Sequence, residues 1–322
     1  MFITPILLIT FNRPEHTHKV LEVIRAQQPK QLFVFQDGAR DGNETDAVKC
    51  AEVRQVVKEL VDWDCELKTY YSNVNLGCGP GPAAAITWFF ENVEQGIILE
   101  DDCIPHKDFF IYCQELLEKY RDNNKISFIG GCCFNKDIKQ NCSYSFVGGH
   151  HMTWGWATWK RVWNKFDYEL KSINEKKIKV IIKQYYKSTR QREYWYKIFE
   201  EVKNNKMNNS CWDYQFYFSC WLQNQYAISP CVNLVSNIGY GEDATHTNSK
   251  DNNLLDCITY PIYPLKHPEK IWYNYKIDYY IMKNMIIPYQ YGMKGFFRLP
   301  YRLNSRLKRL LNHKGSWIKR KK

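Results

Sequence analysis

The sequence predicts an α/β fold with a mostly parallel central sheet flanked by helices. Between residues 5 and 130, apolar runs of strand length alternate with segments of helical period, which is typical of strands linked by covering helices. The chain has 322 residues, of which 44% are hydrophobic and 16% aromatic, enough to form a sizeable core. Its longest purely apolar runs, such as 6–9 and 96–99, are too short for a membrane-spanning helix.

The first half of the chain predicts five strands linked by helices and one loop. The run 5–11 predicts strand one rather than a signal peptide, because no basic residue precedes it and Asn12-Arg13-Pro14 follows it. Pro14 suits the first turn of a helix from about residue 15. Further strands are predicted at 31–36, 67–71, 96–99 and 125–130, and further helices at 46–61 and 107–121. The Gly- and Pro-rich run 75–82 predicts a loop that opens a helix at Ala83.

The second half of the chain is less regular. Periodicity predicts no element in the aromatic stretch 150–159, whereas 171–209 and 213–223 are predicted to be helical and 226–238 extended. Leucines at 303, 307, 310 and 311 alternate with basic residues, which predicts a short basic amphipathic helix. We expect a main domain at 1–250, divided near residue 130 into a nucleotide-sugar half and an acceptor half, and a C-terminal extension at 251–322.

The positive charge of the chain is concentrated near its C-terminal end. The net charge is +11, and residues 279–322 contain twelve Lys and Arg but no Asp or Glu. Subtracting that +12 leaves −1 for the preceding 278 residues, so the body of the chain lacks the basic excess that a nucleic-acid partner requires. The basic helix predicts contact with an anionic membrane surface. A solvated helix, or one docked on an acidic rim of the body, is the alternative.

Cysteine usage predicts a reducing compartment. The chain has twelve cysteines and none at Cys-x-x-Cys spacing, which argues against a structural zinc site and against a redox dithiol. We therefore predict a cytoplasmic protein, with the basic helix placing it at the inner face of the membrane.

Polar residues follow three predicted strands at the ends where ligands of open α/β sheets bind. These are Asn12-Arg13, Asp37-Gly38 and the triplet Glu100-Asp101-Asp102. Three adjacent carboxylates raise each other's pKa unless a cation offsets them. A divalent ion completed by substrate phosphates is the simplest partner. A solvated acidic turn or a helix cap is the alternative.

Taken together, these motifs resemble the GT-A nucleotide-diphospho-sugar glycosyltransferases, and most closely the N-acetylglucosaminyltransferase I-like family. The resemblance extends over about residues 1–250 and rests on the order and spacing of five runs, 5–14, 36–38, 75–77, 97–102 and 154–159. It implies a GT-A, Rossmann-like, three-layer fold. It also implies an inverting transfer from a nucleoside diphosphate donor, UDP in this case.

The resemblance assigns four residues to the nucleotide. Arg13 would meet the nucleotide or its diphosphate, which suits a guanidinium, and Asp37 would accept hydrogen bonds from uracil or ribose. Asn12 and Gly38 belong to the same two loops. The alternatives are a helix-start role for Arg13 and a turn-forming role for Asp37.

The acidic triplet is assigned to the sugar and the metal. Glu100 and Asp101 would line the ribose and the sugar, and Asp102 would bind Mn²⁺ or Mg²⁺ directly. His246, in the glycine-flanked loop 239–247, could contact the metal or a phosphate oxygen, and a surface histidine is the alternative.

Asp213 is the candidate catalytic base. It begins a predicted helix, at the position where such families place the base, and a helix N-terminus favours the ionised carboxylate. An N-cap role is the alternative, and Asp167 and Asp243 are weaker candidates for the same task.

The aromatic stretch is assigned to the acceptor. Trp154, Trp156 and His151 could line the acceptor pocket, because aromatic faces stack on sugar rings. At least one tryptophan of the stretch is expected to pack in the core.

The predicted function is therefore metal-dependent glycosyl transfer to a glycan or lipid-linked glycan in bacterial surface polysaccharide synthesis. One alternative is a nucleotidyltransferase that makes sugar nucleotides, which should carry a Gly-rich signature with Arg and Lys near strand one. Residues 10–14 lack that signature. The other alternative is an inactive relative that binds glycan or membrane surfaces.

Overall fold

The computed structural model describes residues 2–134, 137–148, 153–207, 210–239 and 258–286. The strands are β1 (Ile6–Thr10), β2 (Gln31–Gln36), β3 (Glu66–Tyr71), β4 (Gln95–Glu100), β5 (Cys103–Pro105), β6 (Ile126–Gly130), β7 (Tyr144–Val147), β8 (Trp156–Trp159), β9 (Tyr226–Pro230) and β10 (Val235–Asn237). The helices are α1 (Pro14–Arg25), α2 (Glu44–Leu60), α3 (Pro80–Asn92), α4 (Lys107–Lys119), α5 (Lys160–Trp163), α6 (Glu175–Tyr185), α7 (Thr189–Lys203), α8 (Asp213–Leu222) and α9 (Tyr275–Ile281), which continues into a π-helical turn, Met282–Ile286.

Eight strands form one sheet in the order β3-β2-β1-β4-β8-β6-β9-β7. The pairs β1–β2, β1–β4, β2–β3 and β6–β9 are parallel, whereas β8 and β7 run antiparallel to their neighbours. The predicted α/β fold with a mostly parallel sheet flanked by helices is confirmed. A separate ribbon pairs β5 with β10.

The predicted elements of the first half are present, and their bounds differ by a few residues. Every residue of β1 is buried, and it shares one hydrophobic core with Val20, Leu21 and Ile24 of α1. Helix α3 begins at Pro80 rather than at the predicted Ala83. Gly77 makes the turn with a φ of +82°, and proline is well suited to a first helical turn, so the helix starts as soon as that turn ends.

Strand β8 was not predicted. All four of its residues are buried between neighbouring strands of the sheet. A strand buried on both faces has no alternation of polar and apolar residues for periodicity to detect.

Residues 258–286 pack against the free edge of the sheet. Asn274 N donates to Phe146 O of β7 at 2.8 Å, and Ile277, Ile281 and Met282 are buried in the core. The basic amphipathic helix predicted beyond residue 299 lies outside the described residues. None of the helices in the described part of the chain is long and apolar enough to cross a bilayer.

Candidate active site

The strand register brings the predicted polar residues to the edge of the sheet that is formed by the carboxyl ends of its parallel strands. Thr10 pairs with Gln36 and Ile9 pairs with Glu100, so the chain leaves β1, β2 and β4 at the same level. The residues that follow these strands therefore lie together at this edge, where ligands of open α/β sheets bind.

Arg13 links two of these loops by ion pairs. Its guanidinium forms a close ion pair with Asp101 and places Nη2 3.1 Å from Asp102 Oδ2. Asp101 retains only 3% of its side-chain exposure. Burial alone lowers the pKa of Arg13, but the charges of Asp101 and Asp102 outweigh it and raise that pKa above its usual value. Arg13 therefore supplies part of the positive charge that offsets the triplet, and its contact with the nucleotide or its diphosphate stays a prediction.

Two carboxyl groups of the site have raised pKa values despite the presence of Arg13. Burial raises the pKa of Glu100 to about 8, and the charges of Asp102 and Asp101 add to this effect. Burial also raises the pKa of Asp101 to about 6, against the opposing charge of Arg13. A further cation at this edge would lower both pKa values, because it favours the ionised carboxylates.

Asp102 is held by the segment that follows β10. Asn237 Nδ2 donates to Asp102 Oδ1 at 3.2 Å, and Ile238 N donates to the Asp102 carbonyl at 2.8 Å. A Cβ on Gly239 would lie 2.1 Å from Asp102 Oδ2, so any other residue there would displace the Asp102 carboxylate. Sequence reasoning missed Asn237, which pairing of β5 with β10 brings beside the triplet.

The donor set suits a cation that arrives with its own ligands. Among the described residues, no group of three or more His, Cys, Asp or Glu side chains is placed to hold a metal. Asp102 is 14% exposed, and each of its carboxylate oxygens has more than one lone pair. Mg²⁺ is commonly held by one or two carboxylates and completed by phosphates and water. Asp102 therefore fits as the single protein ligand of a diphosphate-bound cation.

Asp37 organises the loop after β3. Its carboxylate accepts hydrogen bonds from the backbone N–H groups of Gly38, Leu76 and Gly77 at 2.8–2.9 Å, and from Asn75 Nδ2 at 3.3 Å. The turn-forming alternative accounts for this position, and contact with uracil or ribose stays a prediction. Gly38 is required sterically, since a Cβ there would lie 2.5 Å from the Val74 backbone.

Removing the Asp37 carboxylate is expected to loosen this loop. Asp37→Ala leaves three backbone donors without their acceptor, and each such loss costs about 1 kcal/mol or more. We expect the urea midpoint to fall by an amount that corresponds to about 3 kcal/mol in the free energy of unfolding. Asp37→Asn keeps one acceptor oxygen and should lose less. Equal urea midpoints for the parent and both variants would contradict this role.

Asn12 acts through Asp46 of α2. Asn12 Nδ2 donates to Asp46 Oδ1 at 2.7 Å, and Arg40 binds the same carboxylate. The hydrogen bond from Arg40 and that from Asn12 lower the pKa of Asp46 to about 2, against the effect of burial. Asn12 therefore fastens the loop after β1 to α2, and nucleotide contact remains a prediction for it.

The Asp46 cluster predicts a defined acid sensitivity. Because the folded state lowers the pKa of this carboxyl, its contribution to stability is present above its ordinary pKa and is lost as the pH falls toward 2. Asp46→Asn should be less stable than the parent by about 2 kcal/mol at pH 7. The difference should shrink between pH 4 and pH 2 in chemical unfolding. A difference that does not change with pH would contradict the assignment.

Asp213 joins the site from the other half of the chain. It is the first residue of α8, and its charge contributes to the raised pKa of Glu100. One turn along the helix, burial raises the pKa of Tyr217, and the charge of Asp213 and a hydrogen bond to it add to that rise. The buried tyrosine thus helps to fix the carboxylate. Asp167 is held by Ser172, whose N and Oγ donate to it at 2.7 and 2.6 Å.

The assignment of Trp156 to the acceptor is wrong. Its side chain is fully buried, stacked on Phe128 at 4.9 Å and on Trp212 at 5.7 Å between ring centroids. It has no exposed face for a sugar. Because Trp212 immediately precedes Asp213, the stack ties the start of α8 to the central sheet, and Trp156 supports the candidate base from within the core.

The other acceptor and metal assignments differ in how far the structure describes them. Trp154 is half-buried against Phe134, with ring centroids 6.1 Å apart, and its acceptor role stays a prediction. His151, His246 and Asp243 lie outside the described residues.

Two further residues at this edge were missed by sequence reasoning. His16 lies in the first turn of α1, with Nε2 3.2 Å from the Ile238 carbonyl, and its charge acts on Asp101. Cys78 Sγ donates to the Ser210 carbonyl at 3.4 Å, which joins the loop after β3 to the segment before α8. Pro14 starts α1 close to the end of β1, which could have indicated that His16 in the first turn lies near the site. No local pattern indicates Cys78.

Comparison with known proteins leaves the family of this chain open. No family profile matches it, and no curated protein matches it. HddC from Yersinia pseudotuberculosis is 12% identical with a TM-score of 0.31, over 50% of this chain and 78% of that one. An inositol-1-phosphate CTP transferase from T. maritima is 9% identical with a TM-score of 0.32, over 54% and 76%.

A UDP-glucose pyrophosphorylase complexed with UDP-glucose is 6% identical with a TM-score of 0.32, over 51% of this chain and 79% of that one. Two of these three names, the CTP transferase and the pyrophosphorylase, are those of nucleotidyl-transferring enzymes, and the name HddC states no reaction. TM-scores of this size establish no function for this chain. The N-acetylglucosaminyltransferase I-like resemblance has no support among these matches and stays a prediction.

Proposed function

We propose that this protein is a metal-dependent, inverting glycosyltransferase that moves a sugar from UDP to a hydroxyl of a glycan or lipid-linked glycan. The supporting observation is the meeting of acidic groups from the two halves of the chain. The charge of Asp213, at the start of α8, adds to the raised pKa of Glu100 at the end of β4, after burial and the charges of Asp102 and Asp101. Donor and acceptor chemistry require such a pairing of a cation-binding carboxylate with a separate base.

Each residue has a defined task in this proposal. Asp102 would hold Mn²⁺ or Mg²⁺, which neutralises the diphosphate and stabilises it as a leaving group. Arg13 lies in the loop after β1, beside Asp102, and supplies a fixed positive charge there. Asp213 accepts the proton of the acceptor hydroxyl while the oxygen of that hydroxyl bonds to the anomeric carbon of the sugar. The bond from that carbon to the diphosphate oxygen breaks, and its electron pair leaves with the nucleoside diphosphate.

Nucleotidyl transfer is the second candidate, because the names of two of the matched structures correspond to it. Against it, the connection from β1 to α1 has only three residues, Phe11, Asn12 and Arg13, and no glycine. A loop without glycine offers few free backbone N–H groups for wrapping a triphosphate.

The deciding experiment is calorimetric titration of UDP into the protein with Mn²⁺, repeated with EDTA and with Asp102→Ala. We expect binding with Mn²⁺ and its loss in both other conditions, because Asp102 would hold the cation whose charge offsets that of the diphosphate. Asp122→Ala, an exposed carboxylate in the loop after α4, is the matched control and should bind UDP as the parent does. Equal UDP binding with EDTA would contradict the metal role.

The second arm separates the two candidate reactions. The protein is incubated with UDP-sugars for UDP release, and with UTP and sugar 1-phosphates for pyrophosphate release. UDP release alone supports glycosyl transfer, and pyrophosphate release alone supports nucleotidyl transfer. Release of neither product supports the inactive relative.

A further inference from the structure

Exposed aromatic and lysine side chains occupy the outward face of α9 and the residues on either side of it. We call this surface the aromatic stripe; it consists of Trp272, Tyr275, Lys276, Tyr279 and Lys283. The spacings of three and four residues place Tyr275, Lys276 and Tyr279 on one face of α9, whereas Trp272 precedes the helix and Lys283 follows it. The stripe begins just before α9 and continues into the π-helical turn.

The stripe is exposed although the helix itself is firmly packed. Trp272, Tyr275 and Tyr279 are 50%, 43% and 50% exposed, whereas Ile277 and Ile281 on the opposite face are buried. Large aromatic side chains together on one exposed surface are unusual on a protein that has no partner there. These side chains are therefore exposed because they lie on the outward face, and not because the helix is loosely attached.

The charged side chains within the stripe are all positive. Lys276 and Lys283 are exposed within it, and Lys187 Nζ lies 4.1 Å from the centroid of the Tyr275 ring. The acidic residue of the helix, Asp278, points inward, where it accepts a hydrogen bond from Gly148 N at 2.9 Å. Asp137 beside the helix is bound by the Tyr280 hydroxyl. The stripe itself contains no acidic side chain.

Aromatic rings beside lysines suit the interface of an anionic bilayer. Tyrosine and tryptophan settle at the headgroup level, because one end of each ring is apolar and the other polar. Each lysine near an anionic leaflet adds electrostatic attraction. The sequence continues this character, since the twelve Lys and Arg of residues 279–322 begin within the stripe at Lys283. Charge complementarity therefore favours anionic lipid over an apolar or basic protein partner.

We propose that the aromatic stripe docks this protein on an anionic lipid surface. The stripe would lie in the headgroup region, parallel to the membrane, with the sheet above it. This inference does not depend on the proposed glycosyl transfer, because it concerns a surface at the sheet edge next to β7, while the candidate active site lies at the carboxyl ends of β1, β2 and β4.

The test is cosedimentation of the full-length protein with vesicles of phosphatidylcholine, with and without phosphatidylglycerol. The variant Trp272→Ser/Tyr275→Ser/Tyr279→Ser is expected to lose binding to the anionic vesicles on the order of tenfold. Lys276→Glu/Lys283→Glu should lose at least as much. Tyr70→Ser is the matched control, since Tyr70 is 42% exposed on β3, at the opposite edge of the sheet.

Both variants should unfold thermally as the parent does, because the altered side chains face outward. If the serine variant unfolds early, the lysine variant decides. Anionic binding that is equal in the parent and both variants would overturn the proposal and leave any affinity to the basic C-terminal segment. No binding by the parent, or equal binding to vesicles without phosphatidylglycerol, would overturn it as well. UDP binding measured on the same samples reports separately on the active site.

Discussion

Asp213→Asn is expected to bind UDP with Mn²⁺ as the parent does and to turn over its sugar donor 10²–10⁴-fold more slowly, the range typical of a lost general base. The amide has nearly the shape of the carboxylate but cannot accept the proton of the acceptor hydroxyl. The measurement pairs calorimetric UDP affinity with UDP release from whichever UDP-sugar the parent consumes in the presence of acceptor.

Asp167→Asn is the control for this prediction. Asp167 was a weaker candidate base, and its carboxylate is occupied by Ser172, so its amide variant should retain turnover. If Asp213→Asn lost UDP affinity as fully as Asp102→Ala, or if Asp167→Asn lost turnover equally, Asp213 would not be the base.

Strand ends were predictable because they depend on local sequence. Buried apolar runs that end in polar residues indicated β1, β2 and β4, and parallel pairing then brings those ends to one edge. The observed register, Thr10 with Gln36 and Ile9 with Glu100, follows from this arrangement. The convergence of Arg13, Asp37 and the acidic triplet therefore needed no knowledge of tertiary contacts.

Side-chain partners were less predictable because they depend on distant residues. Arg13 was predicted to contact the nucleotide or its diphosphate, and its ion pair with Asp101, 88 residues away, was not predicted. Asn237 reaches Asp102 only through the β5–β10 ribbon, across 135 residues. No sequence period encodes such contacts, and a buried carboxylate takes the nearest available cation of the chain.

The aromatic stretch shows a second limit of sequence reasoning. Tryptophan can stack on sugars or fill a core, and its spacing does not decide between these uses. Trp156 fills the core beneath Trp212. Its ring packs against the residue that precedes Asp213 and does not face an acceptor.

Arg13 and Asp101 form an ion pair in which the carboxylate is almost fully buried. Arg13→Leu is expected to destabilise the protein by about 3–5 kcal/mol at neutral pH, because it leaves the almost fully buried Asp101 without its partner. Loss of the guanidinium also raises the pKa of Asp101 further above its ordinary value. A carboxyl with a raised folded-state pKa favours folding at low pH and opposes it as the pH rises. The destabilisation should therefore be small near pH 4 and full near pH 8 in urea unfolding.

The double variant Arg13→Leu/Asp101→Asn tests the cause. Removing the carboxylate removes the charge that lacks a partner, so this variant should recover most of the lost stability at pH 8 and show little pH dependence. Arg25→Leu is the matched control: Arg25 pairs with Asp62 where both side chains are 46% exposed, and exposed pairs contribute only about 0–1 kcal/mol. If Arg13→Leu lost the same stability at both pH values, lost packing of its side chain, and not the buried charge of Asp101, would be the reason.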